Sequence, residues 1–186
     1  WLAFEGGRIP RPLDFYLIRP DGCEIRRVIK NGEFYSPTWS PDGQWLAFET
    51  YVNENLEVSV VSVNDRAQAI IPVTQDPASD HSPVWAPDGR NVAFISSRGG
   101  DSDVWLADLD LTGAERYQNL SNTPFASENY PVWNFDGSQL LWSSTSQTLG
   151  FSGLYIWNAN ESDRSAHWIG DGVWGAWNET AQQIIA

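Results

Sequence analysis

The chain has 186 residues, 24 acidic and 11 basic, and its formal charge of −13 removes the cationic footprint that nucleic-acid binding needs. Its one cysteine, Cys23, rules out an internal disulfide and a cysteine-rich metal site. No apolar run reaches the length of a membrane-spanning helix, and the length, with no linker in it, predicts a single domain over 1–186.

Trp1-Leu2-Ala3-Phe4 has the same spelling as Trp45-Leu46-Ala47-Phe48, so the chain is expected to open on the second strand of a repeating unit. Asp14 to Arg19 alternates large apolar and polar residues and predicts the next strand. The turn Pro20-Asp21-Gly22 follows, with Cys23 beside it expected as a small buried hydrophobe, and then a weaker outer strand near Glu24 to Ile29. From Trp39 the pattern recurs. Trp39-Ser40-Pro41-Asp42-Gly43 leads into Gln44 to Phe48, Trp85-Ala86-Pro87-Asp88-Gly89 into Arg90 to Phe94, and Trp133-Asn134-Phe135-Asp136-Gly137 into Ser138 to Trp142. A worn copy starts at Trp177-Asn178-Glu179-Thr180-Ala181. The leading tryptophans stand 46, 48 and 44 residues apart, a spacing that fits one four-stranded propeller blade.

Inside each unit proline presets the first turn position, aspartate caps the turn and glycine supplies a positive φ, which predicts a hairpin. Third strands are expected at Leu56 to Val61, Asp103 to Asp108 and Gly153 to Trp157, with outer strands near Ala69 to Pro72, Arg116 to Leu120 and Ser165 to Ile169. No amphipathic helix of normal length is written in the chain, so the class is all-β, a propeller of four-stranded antiparallel blades with about four repeats: 1–34, 35–80, 81–128, 129–171 and a partial 172–186. Most of the eleven tryptophans fall at repeated strand positions and are expected in the core; Trp168 and Trp174 fall near strand ends and are expected to be available to a ligand.

The Trp-Ser-Pro-Asp-Gly run with its apolar strand, followed by Ser96-Ser97-Arg98-Gly99-Gly100-Asp101-Ser102-Asp103-Val104-Trp105, resembles the TolB-type or PD40 branch of WD40-like β-propellers over nearly the whole chain. Phe135 stands where the motif has proline, and the last repeat has lost the Ser-Pro-Asp-Gly turn. The resemblance implies six blades as the usual number and an extracytoplasmic location, periplasmic or secreted. The chain is then expected to be a piece of a larger propeller, completed by further blades or by a second copy, unless its two ends pair to close a four-bladed ring.

Catalytic residues are not expected. Only His81 and His167 could serve as the base of a triad, and no Gly-x-Ser-x-Gly elbow is present. Calcium is the one candidate cofactor, with Asp101 and Asp103 as oxygen ligands in the loop Gly99 to Asp103, against a turn-capping role for the same aspartates. For binding, the start of each innermost strand is the expected position, since such strands line the channel of a propeller and loops on a rigid scaffold carry recognition. The candidates there are Tyr35, Asp80, His81, Glu128, Asn129, Tyr130 and Trp174. The function expected is a non-catalytic scaffold that binds a protein or peptide through this face. Two alternatives stand beside it: the gating propeller of a prolyl-oligopeptidase-like hydrolase, and a carbohydrate-binding propeller.

Overall fold

A computed structural model describes residues 1–6, 13–64, 69–162, 165–178 and 183–185. They form two compact units, 1–83 and 84–186. The first unit holds a three-stranded antiparallel sheet of β1 (Leu2–Gly6), β2 (Leu13–Ile18) and β3 (Ile25–Gly32). It also holds a four-stranded sheet of β4 (Phe34–Trp39), β5 (Trp45–Val52), β6 (Asn55–Ser62) and β7 (Ile70–Pro72). The third sheet runs β8 (Asp80–Trp85), β9 (Asn91–Ser96), β10 (Asp103–Asp108), then a 3₁₀ turn at Gly113–Arg116 and β11 (Tyr117–Asn119). The fourth consists of β12 (Ser127–Trp133), β13 (Gln139–Ser146), β14 (Phe151–Asn158) and β15 (Ala166–Asp171), and β16 (Ala176–Asn178) pairs with β17 (Gln183–Ile185). Each sheet is ordered as the chain is, from innermost to outermost strand, which is the blade connectivity expected from the repeat. The predicted outer strands are found, with ends that differ by at most three residues.

The hairpin turns behave as their residues dictate. Gly43, Gly89 and Gly137 take φ of 67°, 70° and 74°. Their amides donate to the carbonyls of Ser40, Ala86 and Asn134. Asp42 accepts from the Ser40 hydroxyl at 2.6 Å and the Gln44 amide at 2.9 Å, and these bonds hold its carboxyl below the usual value. Phe135 leaves the geometry intact, because the first turn position asks only for an ordinary negative φ; its ring is exposed. The turn of the last repeat, at 179–182, lies outside the described residues.

In the first unit, Phe15, Phe34 and Phe48 meet with ring centroids 5.3–5.6 Å apart among Leu17, Val28, Ile29, Leu46 and Val61. In the second, Trp142 and Trp157 pack with Ile95, Val104, Leu120 and Leu140, and Trp133 meets Trp157 edge-on at 6.2 Å. The Arg98 guanidinium lies over the rings of Phe94, Trp105 and Tyr117, 4.7–5.3 Å from their centroids, which accounts for the arginine that follows the paired serines. Cys23 is exposed, contrary to expectation. Its turn projects beyond the last β2–β3 pair, Ile18 with Ile25, and its amide donates to Asp21 Oδ1. Phe48→Ala is expected to lower the unfolding free energy by about 3–5 kcal/mol in chemical denaturation; a loss below about 1 kcal/mol would show that the phenylalanine triad is not the packing centre of its unit.

Candidate functional site

Three of the inner strands, β4, β8 and β12, carry a local defect near their starts, each beside a proline. Ser36, Ser82 and Tyr130 each precede a proline, and each has a left-handed backbone, φ 52°, 52° and 55°. Proline disfavours the right-handed helical region for the residue before it and removes an amide from the ladder. The pairing register slips between Tyr35 and Thr38 and again between Asn129 and Val132. Such a bulge turns a side chain out of the sheet's alternation.

In the first unit, Tyr35 is half-buried and lines a shallow depression of about 350 Å³ with Glu49, Tyr51 and Leu56. His81 is half-buried with its Nδ1 3.1 Å from Ser82 Oγ, and the Ser82 amide donates to Glu49 Oε1 at 2.8 Å. Among the described residues no carboxylate is hydrogen-bonded to His81, and His167 pairs on the surface with Glu161 at 3.0 Å. Neither imidazole stands between a nucleophile and an orienting carboxylate.

In the second unit, the same strand position opens on a cavity of about 610 Å³ lined by Asn129, Tyr130, Phe125, Thr145, Gln147 and Val173, among others. Tyr130 is 62 % exposed, Phe125 68 % and Val173 65 %. Phe125 also has a left-handed φ, 64°, and is held there by its amide, which donates to Asp101 at 3.0 Å, and by its carbonyl, which accepts from the Ser146 hydroxyl. Trp174 is exposed but is not part of that lining.

Asp80 and Glu128 are fully buried, so their carboxyls face inward from the strand starts. Glu128 accepts from Ser144 Oγ at 2.7 Å and weakly from Ser121 Oγ at 3.5 Å, a hydroxyl that also serves Asp103. Asp103 in turn accepts from Asn119 at 2.7 Å, from Ser121 Oγ at 3.1 Å and from the Thr123 amide at 3.3 Å. Burial pushes the Glu128 carboxyl up to about 7, with the Ser144 hydroxyl opposing and the Asp103 carboxylate adding to the rise. An equivalent set recurs in the first unit. Thr74 donates to Glu57 at 2.6 Å and accepts from the Val58 amide at 2.9 Å, and burial, then repulsion from Asp80 and Asp76, raises Glu57 above its ordinary value. Asp101 and Asp103 thus serve different partners, and among the described residues no three His, Cys, Asp or Glu side chains gather as a metal set.

The family model for the TolB beta propeller domain, PD40, matches residues 13–184. The chain belongs to the TolB β-propeller family. Solved structures agree on the fold: TolB from Acinetobacter baumannii superposes with a TM-score of 0.77 at 18% identity over 98% of this chain and 44% of that one. A Mycobacterium tuberculosis puromycin-hydrolyzing peptidase gives 0.66 at 15% identity, over 98% of this chain and 35% of that one. Oligogalacturonate lyase from Vibrio parahaemolyticus gives 0.66 at 14% identity, over 98% and 61%. The chain spans between 44% and 59% of the length of the two TolB structures it matches. No curated protein sequence matches it.

Within this TolB propeller, Phe125 and the partners of the buried acids escape a reading of the sequence. Phe125 sits in a loop with no strand pattern, and Pro124 beside it is the one sign of a fixed turn. Glu57 and Thr74 are far apart in sequence, and only lining up the third strands, where Glu57 and Asp103 share a place, hints at them. The raised Glu128 carboxyl has a direct consequence. Between its ordinary value of 4.5 and about 7 the native state holds a proton that the unfolded chain has released, so stability falls as pH rises through that window and levels off above it. Glu128→Gln, which mimics the protonated acid, is expected to gain about 2 kcal/mol over wild type at pH 8.5 and nothing at pH 4 in urea denaturation. Equal differences at both pH values would refute the assignment.

Proposed function

We propose that this chain is a non-catalytic propeller module that binds an extended segment of a partner protein in the cavity at Tyr130. The observation that supports it is the pair of exposed aromatic rings, Phe125 and Tyr130, both on left-handed backbone at the rim of one polar cavity. A bulky residue in that conformation is strained, and such strain concentrates where a surface is used. Aromatic anchors flanked by amide and hydroxyl groups, here Asn129, Gln147 and Thr145, are the composition of a recognition surface. With a formal charge of −13, the module favours a partner that brings basic residues beside its apolar anchor. Trp174 is a further candidate contact in the second unit, where Glu128 is buried, and Tyr35 and His81 are candidate contacts in the first, where Asp80 is buried. A location outside the cytoplasm belongs to the same proposal; among the described residues no helix is long and apolar enough to cross a membrane. Completion by further blades or a second copy belongs to it as well.

A second reading, the propeller partner of a peptidase domain, is favoured by the likeness to peptidases, of whose chains the match covers 22–35%. A coding sequence that continues into a serine elbow with a downstream histidine would decide for it.

The test is selection of a random peptide library on the protein, followed by titration calorimetry of the selected sequence. Tyr130→Gly and Phe125→Gly remove the rings while relieving the backbone, so each is expected to weaken binding about 30-fold with a melting temperature unchanged or raised. Undiminished affinity in both variants would overturn the assignment of the cavity.

A further inference from the structure

We propose that the buried Asp103–Glu128 pair is a proton-controlled latch on the crossover 119–130, ordering the segment that carries Phe125 and Tyr130 when one proton is shared and releasing it when both carboxyls are charged. Its consequence for partner binding rests on the reading given above.

The crossover carries the chain from the outer edge of the third sheet to the innermost strand of the fourth. Over 120–126 its backbone belongs to no strand, and the two acids hold it from both ends. Asp103 gathers Asn119, Ser121 and the Thr123 amide, and Ser121 Oγ accepts from the Val104 amide at 2.9 Å. Glu128 fixes the far end through Ser144, while its own amide donates to the Ser102 carbonyl at 2.8 Å. A single proton between the carboxyls makes one a donor and the other an acceptor; without it two buried like charges face each other.

From β10 the facing titratable group is Asp103 itself; the loop before it carries Asp101, engaged with the Phe125 amide, and Arg98, whose guanidinium lies over the rings of Phe94, Trp105 and Tyr117. The residues of β9, of β13 and of 120–126 include no acidic, basic or imidazole side chain. The raised value of Glu128, about 7, puts the change near neutral pH. The recurrence of the arrangement at Glu57, Thr74 and Asp80 shows that it is a repeat feature of the fold. At Glu128, unlike there, the next strand residues are Asn129 and Tyr130, which line the cavity.

Hydrogen exchange by mass spectrometry, corrected for the intrinsic pH dependence of exchange, tests the latch without any partner. In wild type, protection over 119–130 is expected to fall at least tenfold between pH 5.5 and pH 8.5, while that of β9 stays constant. Glu128→Gln keeps the Ser144 bond and a donor toward Asp103, and is expected to hold the protection at both pH values. Asp103→Asn removes the like charge and offers the Glu128 carboxylate an amide donor, and is expected to abolish the loss of protection. Wild-type protection independent of pH, or the same loss in Glu128→Gln, overturns the proposal. The library-selected peptide then separates the two claims: affinity that falls with protection supports the latch as regulator of the cavity, whereas affinity flat across a demonstrated loss of protection overturns that regulation. Failure of any peptide to bind at any pH removes the binding reading and leaves the exchange profile to decide the latch.

Discussion

A blade that is wound from its inner strand to its outer one obliges the chain to leave at one edge of a sheet and begin the next at the far side, and the backbone of that passage has no ladder to pair with. Buried polar side chains supply the missing partners. In the second and third sheets the hydroxyl of Thr74 or Ser121 accepts from the amide of Val58 or Val104 and donates to an acid, Glu57 or Asp103. The acids opposite, Asp80 and Glu128, are fully buried. The repeat thus places carboxyls where water is excluded because the crossover needs acceptors, and the elevated Glu128 value follows from this requirement.

The same passage explains where exposed aromatic side chains arise. Proline at the fourth or fifth residue of the inner strand withholds an amide, its predecessor takes a left-handed conformation, and where the register slips a side chain leaves the sheet. Ser36, Ser82 and Tyr130 share this backbone, and at Tyr130 a neighbouring loop adds Phe125 in the same conformation. The cavity is a product of two local backbone defects on a well-packed sheet, whose core holds Trp142 and Trp157.

Period, class and turn chemistry were legible because each depends on residues close together in the chain. Trp-x-Pro-Asp-Gly carries its own turn geometry, and even Phe135 in place of proline could be accommodated without changing it. Strand starts were legible as positions but not as orientations: Asp80 and Glu128 read as presented groups and are buried, whereas Tyr130 is exposed one or two residues away. That distinction rests on the bulge, whose proline signal is visible in Ser36-Pro37, Ser82-Pro83 and Tyr130-Pro131 only once the backbone is known. Cys23 read as buried because cysteine usually is, and tertiary context at a projecting turn overruled the residue's habit. Phe125 and the Thr74–Glu57 pair were not legible, since nothing in the local pattern reports on contacts made across a crossover.

The residue before the proline takes the same left-handed backbone in three inner strands and differs in identity: serine twice, tyrosine once. Evolution can therefore vary the displayed group by single codon changes while the proline preserves the scaffold. On the reading proposed above, the displayed group can change one position per blade, as interchangeable tips on one handle, while the fold that carries it stays the same.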